Sequence, residues 1–225
     1  MQQTRPLLLP INGSLKTYRI TGLIWMILLS INGLVPLKAQ SVDPVSSIKE
    51  LKEGYLLVRM PAFKAKIDTL QSMFSRASDR ASRSRLEKML KDAKEERDTL
   101  LGDYTRAFRD FYHFSKVGYY LDDEGRDLHM TTFHNMNGDV LTKNEMGESP
   151  VYYLFFERTP DNNLEALVIY NNEGIQMPAP FPNYFARGGI NFLFLKISNK
   201  KFPTWRVDRI NKRFFKYWEE VKSEE

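Results

Sequence analysis

The chain is expected to fold as an α/β (α+β) domain. The expected architecture is a mixed sheet of about five strands, a long helical hairpin inserted between its first two strands, and an amphipathic aromatic C-terminal helix. Three observations predict this. Short apolar runs bounded by turn residues recur at 54–60, 116–121, 151–157 and 164–170. Between the first two of these runs, over 61–112, apolar spacing changes to alternating threes and fours. The same helical spacing returns over 204–222, now loaded with aromatic rings.

Composition narrows the class of protein. The 225 residues include no cysteine, which excludes disulfide scaffolds, thiol nucleophiles, zinc ribbons and lipid attachment through a thiol. With 42% hydrophobic and 27% charged residues, the chain is neither disordered nor multi-spanning. Its formal charge of +5 misleads until it is divided. Arg5, Lys16, Arg19 and Lys38 stand in the first 39 residues with no acid, so the remaining 29 of 33 bases face all 28 acids. A body that close to neutrality has no overall field to attract polyphosphate, so nucleic acid is not an expected partner.

The element order starts with residues 1–39, read as a signal peptide. Basic residues precede an apolar run from Ile20 to Leu37, then Ala39, then a polar stretch. Residues 40–53 read as a linker and 54–225 as one α/β domain. Uncleaved, the run from Ile20 to Leu37 would be a membrane tether of about 27 Å, slightly short of the hydrocarbon thickness. That tether is the one membrane contact expected.

Gly54 to Met60 (GYLLVRM) reads as a buried strand, and Pro61 suits the first turn of a following helix. Ile67, Leu70, Phe74 and Ala77 make one stripe. Leu86, Leu90, Ala93, Arg97, Leu100, Tyr104, Ala107 and Phe111 make another. Ser84 and Glu87 have capping-box spacing, so the hairpin 61–112 divides into helices over 61–77 and 85–112. Lys116 to Leu121 is the next strand. Leu128 to Phe133 and Val140 to Thr142 form a hairpin around Asn137-Gly138. Val151 to Glu157 and Leu164 to Tyr170 pair through a loop of turn-forming residues, and Phe192 to Ile197 is a further strand. The terminal helix carries Val207, Ile210, Phe214, Tyr217 and Val221 inward, with Arg206, Arg209, Lys212, Arg213 and Lys216 as its solvated face.

Chemistry-bearing motifs are sparse. There is no nucleophile elbow, phosphate-cradling loop or dinucleotide fingerprint. His129 and His134 are five apart and do not aim at one ion, so no metal or cofactor is expected. Asp122, Asp123, Glu124, Asp127 and His129 cluster after a strand, where α/β folds place their sites. They are the candidates for acid–base chemistry of a hydrolase or lyase. The plainer reading is an acidic turn, because position twelve of a calcium loop starting at Asp122 would be Phe133. Phe181, Tyr184 and Phe185 stand beside three prolines that stiffen the backbone, as in an adhesive loop. The competing reading folds these rings back over a sheet edge.

The runs GYLLVRM at Gly54, FSKVGYY at Phe114, LEALVIY at Leu164 and PFPNY at Pro180 resemble a family of exported Gram-negative bacterial proteins with no assigned activity. The resemblance implies export and lends no catalytic residue. The element order is also similar to that of thioredoxin, without its paired cysteines and with a helical hairpin in place of one helix. Together these readings lead to a periplasmic, outer-membrane-associated or secreted protein. Its expected role is binding a protein partner in the cell envelope without catalysis.

Overall fold

A computed structural model describes residues 42–122, 131–158, 163–186 and 202–224. Every described residue belongs to one compact unit, Val42–Glu225. The apolar run 20–37, the expected strand 192–197 and residues 123–130 lie outside the described residues. Among the described residues no helix is long and apolar enough to cross a membrane.

The first element corrects an expectation. Residues 40–53 were read as a linker, but Pro44–Glu53 is a helix, α1. The Asp43 carboxylate accepts from the Val45 and Ser46 amides, both at 3.1 Å, and Pro44 occupies the first turn, where a missing N–H costs nothing. Two apolar residues suffice for the inner face: Ile48 and Leu51 are fully buried. Gly54 then turns the chain into β1 (Tyr55–Met60). A Cβ at Gly54 would stand 2.2 Å from the Pro150 carbonyl oxygen. That same oxygen accepts from the Tyr55 amide at 2.8 Å, so the close approach is part of the sheet.

Helices α2 (Lys64–Arg76) and α3 (Arg80–Phe111) form the expected hairpin. Their pairing is antiparallel: Lys66 meets Glu96 at 2.7 Å near the root, while Arg83 lies over the Phe74 ring near the tip. Asp79 caps α3 by accepting from the Ser82 amide at 2.7 Å. The helix therefore begins five residues before the expected start, and Ser84 and Glu87 lie inside it. At 32 residues α3 is about 48 Å long. Its first half buries Leu86 and Ala93 with Ile67 and Leu70 of α2. Its second half turns Tyr104, Ala107 and Phe108 onto the sheet, leaving Phe111 exposed.

The remaining elements are β2 (Lys116–Leu121), β3 (Phe133–Asn135), β4 (Val140–Leu141), α4 (Lys143–Met146), β5 (Val151–Arg158), β6 (Glu165–Tyr170), β7 (Tyr184–Ala186) and α5 (Phe202–Ser223). Among the described residues they complete a seven-stranded mixed sheet in the order β4-β3-β2-β1-β5-β6-β7. The expected hairpin appears as β3 and β4, with β3 starting at Phe133, where the expected strand ended, and β7 is a strand that was not expected. Central β1 is parallel to both neighbours, with Leu56 opposite Val117 of β2 and Tyr152 of β5; the outer pairs are antiparallel.

Helices α1, α3 and α5 cover one sheet face. There Leu56, Val58, Met60, Leu154, Leu167 and Ile169 meet Phe108, Phe214 and Ile210 in one continuous core. Fully burying each such aliphatic or aromatic side chain contributes about 1.5–3 kcal/mol. A smaller cluster of Tyr55, Leu57, Tyr120, Phe133 and Met146 occupies the other face.

Candidate functional site

Strand β1 continues through the hairpin to β2 on one side and has β5 on the other, all three parallel. Such a point, where chain connections diverge, leaves a crevice beyond the strand ends. Here it is a cleft of about 820 Å³ between the hairpin root, the end of β5, the start of β6 and the start of α5. Its apolar surface comes from Pro61, Phe63, Leu100, Tyr104, Phe156 and Phe202. The Tyr104 and Phe156 rings meet edge to face at 4.9 Å.

One wall is a polar stripe of α3. Asp92, Glu96, Thr99 and Asp103 repeat at helical spacing, and Glu95 stands beside them. Glu157 and Glu165 contribute two more carboxylates from the opposite side. Among the described residues only Arg158 and Arg206 supply positive charge to the lining, so six carboxylates face two guanidiniums there. Some of this charge is already engaged. Glu96 pairs with Lys66, and Glu157 accepts from the Tyr170 hydroxyl at 2.6 Å.

Arg206 is the unusual member. It was read as part of a solvated face, but it is only 4% exposed. Its guanidinium donates to the Tyr104 hydroxyl at 3.2 Å and to the Glu165 and Phe185 carbonyls at 3.3 and 3.2 Å. It also lies over the Phe202 ring at 4.9 Å. Its Nε is buried without a hydrogen-bond partner, and no carboxylate lies within ion-pair distance among the described residues. A buried donor left unsatisfied costs about 1–3 kcal/mol. Phe63 adds backbone strain at the same place. Its φ of 54° puts a bulky residue in the left-handed region where the chain leaves β1 for α2.

Comparison with protein-family models, with curated proteins and with solved structures finds no match to this chain.

Of the sequence-derived acid–base candidates, Asp123, Glu124, Asp127 and His129 lie outside the described residues. Asp122 is described, and its carboxylate is engaged. Oδ1 accepts from the Ala62 amide at 2.7 Å while the Asp122 amide donates to the Met60 carbonyl at 3.0 Å. These bonds tie the end of β2 to the end of β1. His134 stacks on Tyr119 with ring centroids 5.2 Å apart, and its Nδ1 lies 3.1 Å from the Gly138 carbonyl. Among the described residues no group of His, Asp or Glu side chains is arranged to hold a metal ion.

The proline-flanked rings are also corrected. Phe181 and Phe185 are 2% and 4% exposed, whereas Tyr184 is 45% exposed. Phe181 packs against Tyr152, Phe214 and Tyr217, with centroids 5.8–6.3 Å away. Phe185 meets Phe214 edge to face at 6.0 Å. Two of the three expected contact residues are thus core residues beneath β7, which leaves Tyr184 as the surface ring. Alternation along an edge strand accounts for the split, because Tyr184 and Phe185 point to opposite faces.

Proposed function

We propose that the chain is an exported binding protein that holds a cationic, partly apolar segment of an envelope protein in the cleft beyond β1 and β5, without turning it over. The observation that carries this reading is the polar stripe of α3. A helix that lies beside an apolar floor normally turns apolar residues toward it, yet this one presents Asp92, Glu96 and Asp103. Those carboxylates complement lysine or arginine side chains, while Phe63, Phe156 and Phe202 offer apolar contact. Export is supported by the basic, apolar, small, polar order of residues 1–44.

The test uses a fluorescent peptide of alternating lysine and phenylalanine and its glutamate counterpart, read by anisotropy. The basic peptide is expected to bind and the acidic one to be rejected. Reversing two exposed charges, Asp92→Lys with Glu95→Lys, should weaken the basic peptide by more than about tenfold, because like charges then face each other. Equal binding of both peptides, or binding unchanged by the double reversal, overturns the reading.

A further inference from the structure

Further along α5, beyond Arg206, the helix borders a second depression of about 460 Å³, bounded on its other side by residues 179–186. Among the described residues its charged members are Arg209 and Arg213, one helical turn apart, and none of its lining is acidic. Positioned this way, two guanidiniums repel each other. Both are nevertheless held in place. Arg209 lies over the Trp205 ring at 5.3 Å and Arg213 over the Phe185 ring at 5.1 Å. One Arg213 nitrogen also donates to the Tyr184 carbonyl at 3.3 Å.

No carboxylate among the described residues lies within 4.0 Å of either group. The nearby acid of the same helix, Asp208, is already paired with Lys212 at 2.8 Å. Stacked, oriented and without a counter-charge among the described residues, the two forks retain donors for a shared acceptor. Partial burial, and then the neighbouring charge of Arg209, disfavour the charged form of Arg213 relative to a free guanidinium.

We propose that Arg209 and Arg213 form an oxyanion subsite, taking a carboxylate or phosphate carried on a small apolar body that rests against Pro180 and Tyr184. Guanidinium geometry matches both oxyanions through paired N–H donors. Pro180 and Tyr184, which line the same depression, supply the apolar contact. The subsite is separate from the carboxylate-lined cleft and does not depend on the reading of that cleft.

The experiment is a titration of the full chain with phenyl phosphate, benzoate and benzyl alcohol, followed through the side-chain Nε–H resonances of Arg209 and Arg213. Saturable shifts are expected with at least one anion and none with the alcohol. The stronger anion identifies which oxyanion the subsite takes. Arg213→Gln should weaken that anion about tenfold or more, since it removes one of two charge-assisted partners. Arg209→Gln should do the same, and serves if the first variant is unstable. A wild-type chain that shows no saturable shift with either anion overturns the proposal. So does a folded Arg209→Gln or Arg213→Gln protein that binds as tightly as wild type.

Discussion

Lys52 offers a direct measurement of what locks α1 to the rest of the domain. Its Nζ lies 4.9, 4.8 and 5.7 Å from the ring centroids of Phe114, Phe215 and Trp218. It also donates to the Phe114 carbonyl at 2.8 Å. One ammonium thus joins α1, the segment before β2, and α5. A hydrogen bond from a charged donor contributes about 1.5–3 kcal/mol, and a cation–π contact about 0.5–1 kcal/mol where solvent is near. These contacts share one charge and do not add independently, so Lys52→Met is expected to cost about 2–3 kcal/mol. Methionine keeps most of the apolar stem and removes the charge. In a domain of this size each kcal/mol moves the thermal midpoint by about 2–4 °C, so a fall of roughly 5–10 °C is expected by calorimetry or circular dichroism. The loss should persist at high salt, because ring contacts of a partly buried cation are weakly screened. The exposed Lys66–Glu96 pair, by contrast, should contribute little under any condition. A Lys52→Met midpoint within about 1 °C of wild type would refute the reasoning.

Two further expectations follow from the packing. Phe181→Ala should destabilise the chain by about 3–5 kcal/mol, as truncation of a fully buried aromatic does, whereas Tyr184→Ala should stay within about 0.5 kcal/mol; equal effects in denaturant titrations would contradict their placement. The Tyr170 phenol is raised to about 12, first by burial and then by its hydrogen bond to the Glu157 carboxylate. Burial also raises Tyr112, Tyr120 and Tyr152. Between about pH 10 and pH 12 the unfolded chain releases phenolic protons that the folded chain retains, so stability should fall as pH rises through that window. Glu157→Gln should bring the Tyr170 titration down toward its ordinary value, measured by phenolate absorbance against a Tyr170→Phe control. A titration curve identical in the two backgrounds would count against the assignment.

The central part of the fold was legible because its signals are dense. Strands β1, β2, β5 and β6 are contiguous apolar runs, and the hairpin repeats its spacing over many turns, so local pattern and tertiary burial agree. Helix α1 was not read, because two inward residues do not make a period. Its start signal, Asp43 followed by Pro44, was nevertheless present in the sequence. The start of α3 was misplaced for a related reason. Ser84-x-x-Glu87 has the spacing of a cap, but Asp79, backed by the Ser82 amide, stops the preceding turn sooner.

The site was harder to read than the fold, and for a physical reason. A carboxylate at helical spacing looks the same whether it faces water or an apolar cleft, so Asp92, Glu96 and Asp103 merged with the charged background of α3. Arg97, which broke the expected apolar stripe, was a visible hint that α3 rotates its partners along its length. Arg206 was equally hidden among the bases of α5. Position 206 lies three and seven residues before 209 and 213, so all three arginines fall on one stripe. That stripe lies against β7, where Arg206 takes the Phe185 carbonyl and Arg213 the Tyr184 carbonyl. Only the strand's position decides which guanidinium is buried and which remain at the surface. The terminal helix therefore does two things with one row of side chains. It fastens the edge strand through its carbonyls, and it carries Arg209 and Arg213 beside that edge. A ligand that engages these arginines should protect the β6–β7 amides from hydrogen exchange.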